Sequence, residues 1–174
     1  MILEEVKGLY RIITLNEIRR TEKVKFDTLD LSLIPRADGF DRVIHEPGAL
    51  SPGAVGNVER PWYMHQHQED NLMVLYGTRY IDVFTHEHGI VESFTVTADK
   101  VCRGDRVCYT GAAMLVWARN VFHRIRSCPE KGSASVNFAV RFKGFDIRTN
   151  FNIYELDTIT GKYCVIREGH LDQT

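Results

Sequence analysis

Short alternating segments dominate the chain. "RYIDVFT" (79–85) and "IVESFTVTA" (90–98) place apolar and polar residues in turn, the period-two pattern of half-buried strands. The intervening "HEHG" ends in Gly89, where a hairpin needs a positive φ. "NLMVLYG" (71–77), "AMLVWA" (113–118) and "ASVNFAVRF" (134–142) are nearly continuous apolar runs, as expected of strands buried on both faces, and the first is ended by its glycine. "GDRVCYTG" (104–111) opens with a turn and enters a further strand. Helical periodicity is scarce. "TLNEIRRTEKV" (14–24) fits a helix or, equally, a strand with a long polar turn. Four of the five prolines fall within 35–61, which reads as loops with short edge strands. Residues 150–169 read as a terminal hairpin around "TITGK". The pattern predicts an all-β sandwich or barrel.

Composition narrows the partners more than the fold. A chain of 174 residues suits one domain, 1–174, with a barrel core over about 40–145 and terminal segments as extra strands. A formal net charge of −1 provides no basic field for nucleic acid or anionic lipid, so neither is expected as a partner. No apolar run reaches the length of a membrane span, and "MILEEVKGLY" lacks a signal-peptide core. Cys102, Cys108, Cys128 and Cys164 form no C-x-x-C pair and suit a reducing cytoplasm as small apolar side chains.

Candidate chemistry concentrates in "HQHQEDN" (65–71). If "WYMHQHQ" is a strand, His65 and His67 face one side about 7 Å apart and can converge on one ion, while Gln66 and Gln68 face away. Asp70 or Glu69 supplies an acidic ligand, and His123 in "VFHRIRS" a further imidazole from a distant strand. His86 and His88 form a second H-x-H at a hairpin tip, where polar residues are expected anyway. Arg124 and Arg126 alternate with Phe122 and Ile125 and read as an outward polar row.

"HQHQEDNLMVLYG" resembles the first motif of the cupin superfamily, H-x-H, a short gap, an acid, six residues and glycine. His65, His67 and Gly77 match it, and Asp70 takes the acidic position, with Glu69 the alternative and Asn71 a lesser one. "ARNVFH" resembles the second motif, P-x-G-x-x-H, with His123 in register, Ala118 in place of the proline and Asn120 in place of the glycine. Asn is the commonest non-glycine residue in left-handed backbone, so that exchange is physically sound. The resemblance spans roughly 55–142 and implies a double-stranded β-helix, the jelly-roll barrel, with a site in its mouth and a homodimer as the usual assembly. It implies one divalent ion, Fe, Mn, Ni, Zn or Cu, held by His65, His67, Asp70 (or Glu69) and His123. A metal-dependent enzyme acting on a small organic molecule follows, by isomerase or dioxygenase chemistry. The stretch 65–84 is also similar to proteins related to dTDP-4-dehydrorhamnose 3,5-epimerase, which implies the alternative of a metal-independent sugar-nucleotide epimerase or isomerase with a histidine as base. A non-catalytic cupin that binds a small ligand is the third reading.

Overall fold

A computed structural model describes residues 1–174. The chain opens with the hairpin β1 (Ile2–Val6) and β2 (Tyr10–Thr14), then a separate hairpin of β3 (Asn16–Arg20) and β4 (Lys25–Thr28). There follow β5 (Gly39–His45), β6 (Leu50–Ser51), β7 (Trp62–Met64), the 17-residue β8 (Gln68–Phe84) and β9 (Glu92–Thr97). Next come β10 (Lys100–Arg103), β11 (Arg106–Thr110), β12 (Ala113–Trp117), β13 (Phe122–Ser127) and β14 (Ser133–Arg141). The chain ends with the short helix α1 (Ile147–Asn150) and the hairpin β15 (Ile153–Leu156) and β16 (Tyr163–Arg167). No helix is long and apolar enough to cross a membrane.

The strands make two antiparallel sheets that share β8. Its first half belongs to the sheet ordered β1-β2-β12-β8-β14-β5. Its second half belongs to the sheet β11-β10-β9-β8-β13, which continues through β6 and β7 to β15 and β16. The inner faces pack Leu72, Val74 and Leu115 of the first sheet against Ile81, Val83, Phe94 and Ile125 of the second. This is the expected jelly roll. On the outer face of the first sheet, Leu29, Leu33 and Ile34 cover Ile13, Met114 and Val116.

One expectation changes. The runs 71–77 and 79–85 are one strand, not two, because Gly77 turns β8 from one sheet into the other without ending it. Its φ is 71°, and a Cβ there would lie 2.0 Å from the Gly132 carbonyl oxygen. Leu75 and Tyr76, just before that corner, are exposed rather than buried on both faces. Gly77→Ala is expected to cost about 1–3 kcal/mol in backbone strain alone, with the collision added; urea unfolding of the variant measures it, and an unchanged midpoint would refute the account of the corner. Of the two readings of 14–24, the structure has the strand with a polar turn, β3 and the bend that leads to β4. Ile18 is 60 % exposed, so no buried apolar stripe exists to hold a helix there.

Candidate active site

Sheet parity decides which polar residues reach the barrel interior. Along β8, Gln68, Asp70 and Leu72 line an internal cavity of about 130 Å³, while Glu69 turns outward. The Asp70 carboxylate is buried and takes hydrogen bonds from Gln68 Nε2 (2.8 Å), Asn137 Nδ2 (2.7 Å) and Trp117 Nε1 (3.0 Å). Burial by itself raises the pKa of this group. The charges of His65 and His123 and the bonds from His65 and Asn137 overcome that and hold it well below the usual carboxylate range.

His65 lies just past β7, held at both ends. Its carbonyl accepts from the Asn120 backbone N–H at 2.8 Å. Asn120 is the non-glycine residue with positive φ, 63°, so the asparagine at the motif's glycine position does adopt left-handed backbone. The ring Nδ1 bonds the carbonyl of Asn150 in α1, and Nε2 lies 3.3 Å from Asp70 Oδ2. A carbonyl can only accept, so Nδ1 carries a hydrogen.

His123 projects inward from β13 and is also buried. Its Nδ1–H donates to the Val121 carbonyl at 3.1 Å. Burial, reinforced by the His65 charge and opposed by Asp70 and the Val121 bond, pushes the ring down to about 3. His123 is therefore neutral at ordinary pH, with a lone pair on Nε2. The His65 and His123 ring centroids are 4.8 Å apart, with Trp117 5.0 Å and Tyr63 6.0 Å from His123. His65, Asp70 and His123 offer ligand atoms within 4.8 Å of one another.

The other two candidates lie elsewhere. The expectation that "WYMHQHQ" is one strand with both histidines on one face does not hold, because β7 ends at Met64 and the chain bends through Gln66 and His67. The His67 ring instead packs against Gly144 and lines a separate cavity of about 210 Å³ with Gln66, Asp146 and Thr149. Glu69 forms a 2.8 Å ion pair with Arg11 on the outer face of the first sheet. Burial raises the Glu69 pKa and the Arg11 charge opposes it. Arg124 and Arg126 do face outward, over the rings of Trp62 and Tyr80. His86 and His88 sit in the turn after β8, where Gly89 has a φ of 79°.

Sequence reasoning missed Arg79, Asn137, Asp41 and Asn150, and placed His45 in a loop with no role, whereas it ends β5 and lines the cavity. Arg79 carried a usable signal, since it shares parity with the inward Ile81 and Val83 in "RYIDVF". Asn150 carried none, because its role is played by its backbone carbonyl.

The buried imidazoles make stability pH-dependent. Burial, then the Arg79 charge, pushes His45 down to about 4. Both His45 and His123 thus have folded-state values below the 6.5 of an unfolded chain. Unfolded molecules take up protons that folded ones refuse, so stability is complete above pH 6.5 and is lost as pH falls toward 4 for His45 and 3 for His123. Between neutral pH and pH 5 we expect a loss of about 2 kcal/mol, mostly from His123 because half-buried His45 counts for less. Urea unfolding at the two pH values measures it; equal stabilities would mean that both rings charge freely in the fold.

No protein-family model matches the chain, and no curated protein matches it. Solved structures do. The WlaRB TDP-quinovose 3,4-ketoisomerase from Campylobacter jejuni is similar with a TM-score of 0.54 and 15 % identity, over 81 % of this chain and 89 % of that one. A 3,4-ketoisomerase from Helicobacter canadensis gives 0.50 and 14 %, over 78 % and 85 %. At such identities the likeness is one of fold, and that fold is the cupin-type jelly-roll barrel.

Proposed function

We propose that the protein isomerises a small hydroxy-ketone, of the sugar-nucleotide kind, by moving protons between His123, His65 and the substrate. The observation that carries this reading is the pair of facing imidazoles with opposite surroundings. His123 is kept neutral with a free Nε2, while His65 lies against the Asp70 carboxylate. Two similar folds belong to 3,4-ketoisomerases, which supports the same reaction class.

In this reading His123 Nε2 takes the proton from the carbon that bears the hydroxyl next to the carbonyl. His65 gives a proton to the carbonyl oxygen, and an enediol results. The enediol then returns its other hydroxyl proton to His65, and His123 places its proton on the former carbonyl carbon. No atom is gained or lost. Asp70, 3.3 Å from Nε2, fixes the orientation of the His65 ring. Trp117 and Phe151 line the cavity and keep the exchange away from bulk water.

A second reading rests on one specific feature. Both histidines spend Nδ1 on backbone carbonyls, which is how metal-ligating imidazoles are usually oriented. Two imidazoles and a carboxylate fit a borderline divalent ion, and the residues that would hold it are His65, Asp70 and His123. Such an ion would polarise the substrate carbonyl.

The test is deuterium wash-in. Purified protein, with its metal content measured, is incubated in heavy water with a TDP-4-keto-6-deoxy sugar and the sugar is read by mass spectrometry. Carbon-bound deuterium appearing with metal-stripped protein supports proton transfer by the histidines. Deuterium appearing only after a divalent ion is restored selects the metal-assisted form. Binding without exchange in either state overturns the isomerase and leaves a ligand-binding cupin.

A further inference from the structure

Arg79 is a buried cation with no anion beside it. It is 1 % exposed, and its two hydrogen bonds go to neutral acceptors, Ser133 Oγ at 3.0 Å and the Val43 carbonyl at 3.2 Å. Burial draws its pKa down to about 10, so it stays charged at neutral pH. Its field is felt next door, since the Arg79 charge helps to keep His45 neutral. His45 Nδ1 is itself buried without a partner. An uncompensated charge in a protein interior costs more than two neutral hydrogen bonds return, so its presence calls for a partner that arrives from outside.

The cavity wall offers no such partner. Two carboxylates line it, Asp41 and Asp70. Asp41 receives Asn137 Nδ2 at 3.2 Å, and Asp70 is occupied by Gln68, Asn137, Trp117 and His65. Neither is bonded to Arg79. Yet Arg79 lines the same cavity as His65 and His123. On β8 it lies four residues from Val83, the register partner of His123, about 13 Å along the strand. A ligand spanning the cavity thus meets a fixed cation at one end and paired imidazoles at the other.

We propose that Arg79 receives a carboxylate, so that the part of the substrate entering the barrel is an acid such as a keto acid or a uronic acid. This rests on the reading that the same cavity takes the substrate. Size favours carboxylate over nucleotide phosphate as the anion. The cavity is about 130 Å³, well short of the ~300 Å³ at which pockets begin to enclose larger ligands, so a nucleoside diphosphate would remain outside. The planar guanidinium fork also matches a carboxylate in shape.

The experiment compares binding of D-glucuronate, pyruvate, D-glucose and thymidine diphosphate to wild-type protein and to Arg79→Met, by calorimetry, with the melting temperature of each variant recorded. The wild type is expected to bind at least one of the two acids tenfold or more tightly than glucose. Arg79→Met should abolish that preference while melting no lower than wild type, because it removes an unpaired buried charge. A merely structural arginine would give the opposite, a lower melting temperature and no preference for acids. Binding of thymidine diphosphate alone, lost in the variant, would assign the cation to phosphate and overturn the carboxylate. Should Arg79→Met not fold, the wild-type comparison of acid with glucose still decides. Acid binding without deuterium exchange in any keto compound sinks the isomerase but not Arg79, whereas exchange without acid preference sinks only Arg79.

Discussion

His123→Gln lowers the rate of deuterium exchange by about 10²–10⁴-fold and leaves the barrel folded. The argument is one of chemistry at constant shape. Glutamine keeps much of the imidazole's volume beside Trp117, and its amide takes the place of Nε2. It has no lone pair basic enough to accept a carbon-bound proton. Rate and melting temperature must therefore part company: the first collapses, the second shifts little. A variant that keeps half of the wild-type rate would remove His123 from the reaction. The metal reading predicts an equal loss of rate together with loss of bound ion, so elemental analysis of the same preparation separates the two.

Asp70→Ala is the largest expected change in stability, about 3–5 kcal/mol. The carboxylate is met by Gln68, Asn137, Trp117 and His65, all within 3.3 Å. Alanine leaves those buried donors without their common acceptor, and unmade buried hydrogen bonds cost more than made ones return. For a chain of this size the melting temperature falls by roughly 6–20 °C. Glu69→Ala is the control. Its partner Arg11 is 19 % exposed, and a pair of that kind is worth about 1 kcal/mol at most. Equal losses from the two neighbours would mean that Asp70 is not the hub of the buried network.

That contrast between adjacent acids shows where the sequence stopped being readable. Alternation in "RYIDVF" and the apolar runs of β12 and β14 announced the strands correctly, because the fold there obeys local parity. The choice between Glu69 and Asp70 also depends on parity, but on knowing that β8 begins at Gln68, two residues after the bend at Gln66. A strand start is set by tertiary packing, so the H-x-H pair could not reveal that its two rings diverge. Asn120 was legible because left-handed backbone leaves a mark on residue choice. Asn137 and Trp117, which hold Asp70 from β14 and β12, read as ordinary members of apolar runs. Arg79 was visible in principle, as a charge on the inward parity of a strand, whereas Arg124 and Arg126 of β13 face out.

The carbonyl of Asn150 gives the site a history as well as a geometry. It fixes the ring of His65 across 85 residues of sequence, from a helical turn that follows β14, the last strand paired with β8. During synthesis on a ribosome β8 to β14 can therefore pair while Nδ1 of His65 still lacks its partner. When α1 emerges and docks, Nδ1 gains its partner and the ring is held on both nitrogens. A molecule clipped between Phe145 and Ile147 would keep Asp70 and His123 on their strands and would sever the covalent link between them and the carbonyl that holds Nδ1 of His65.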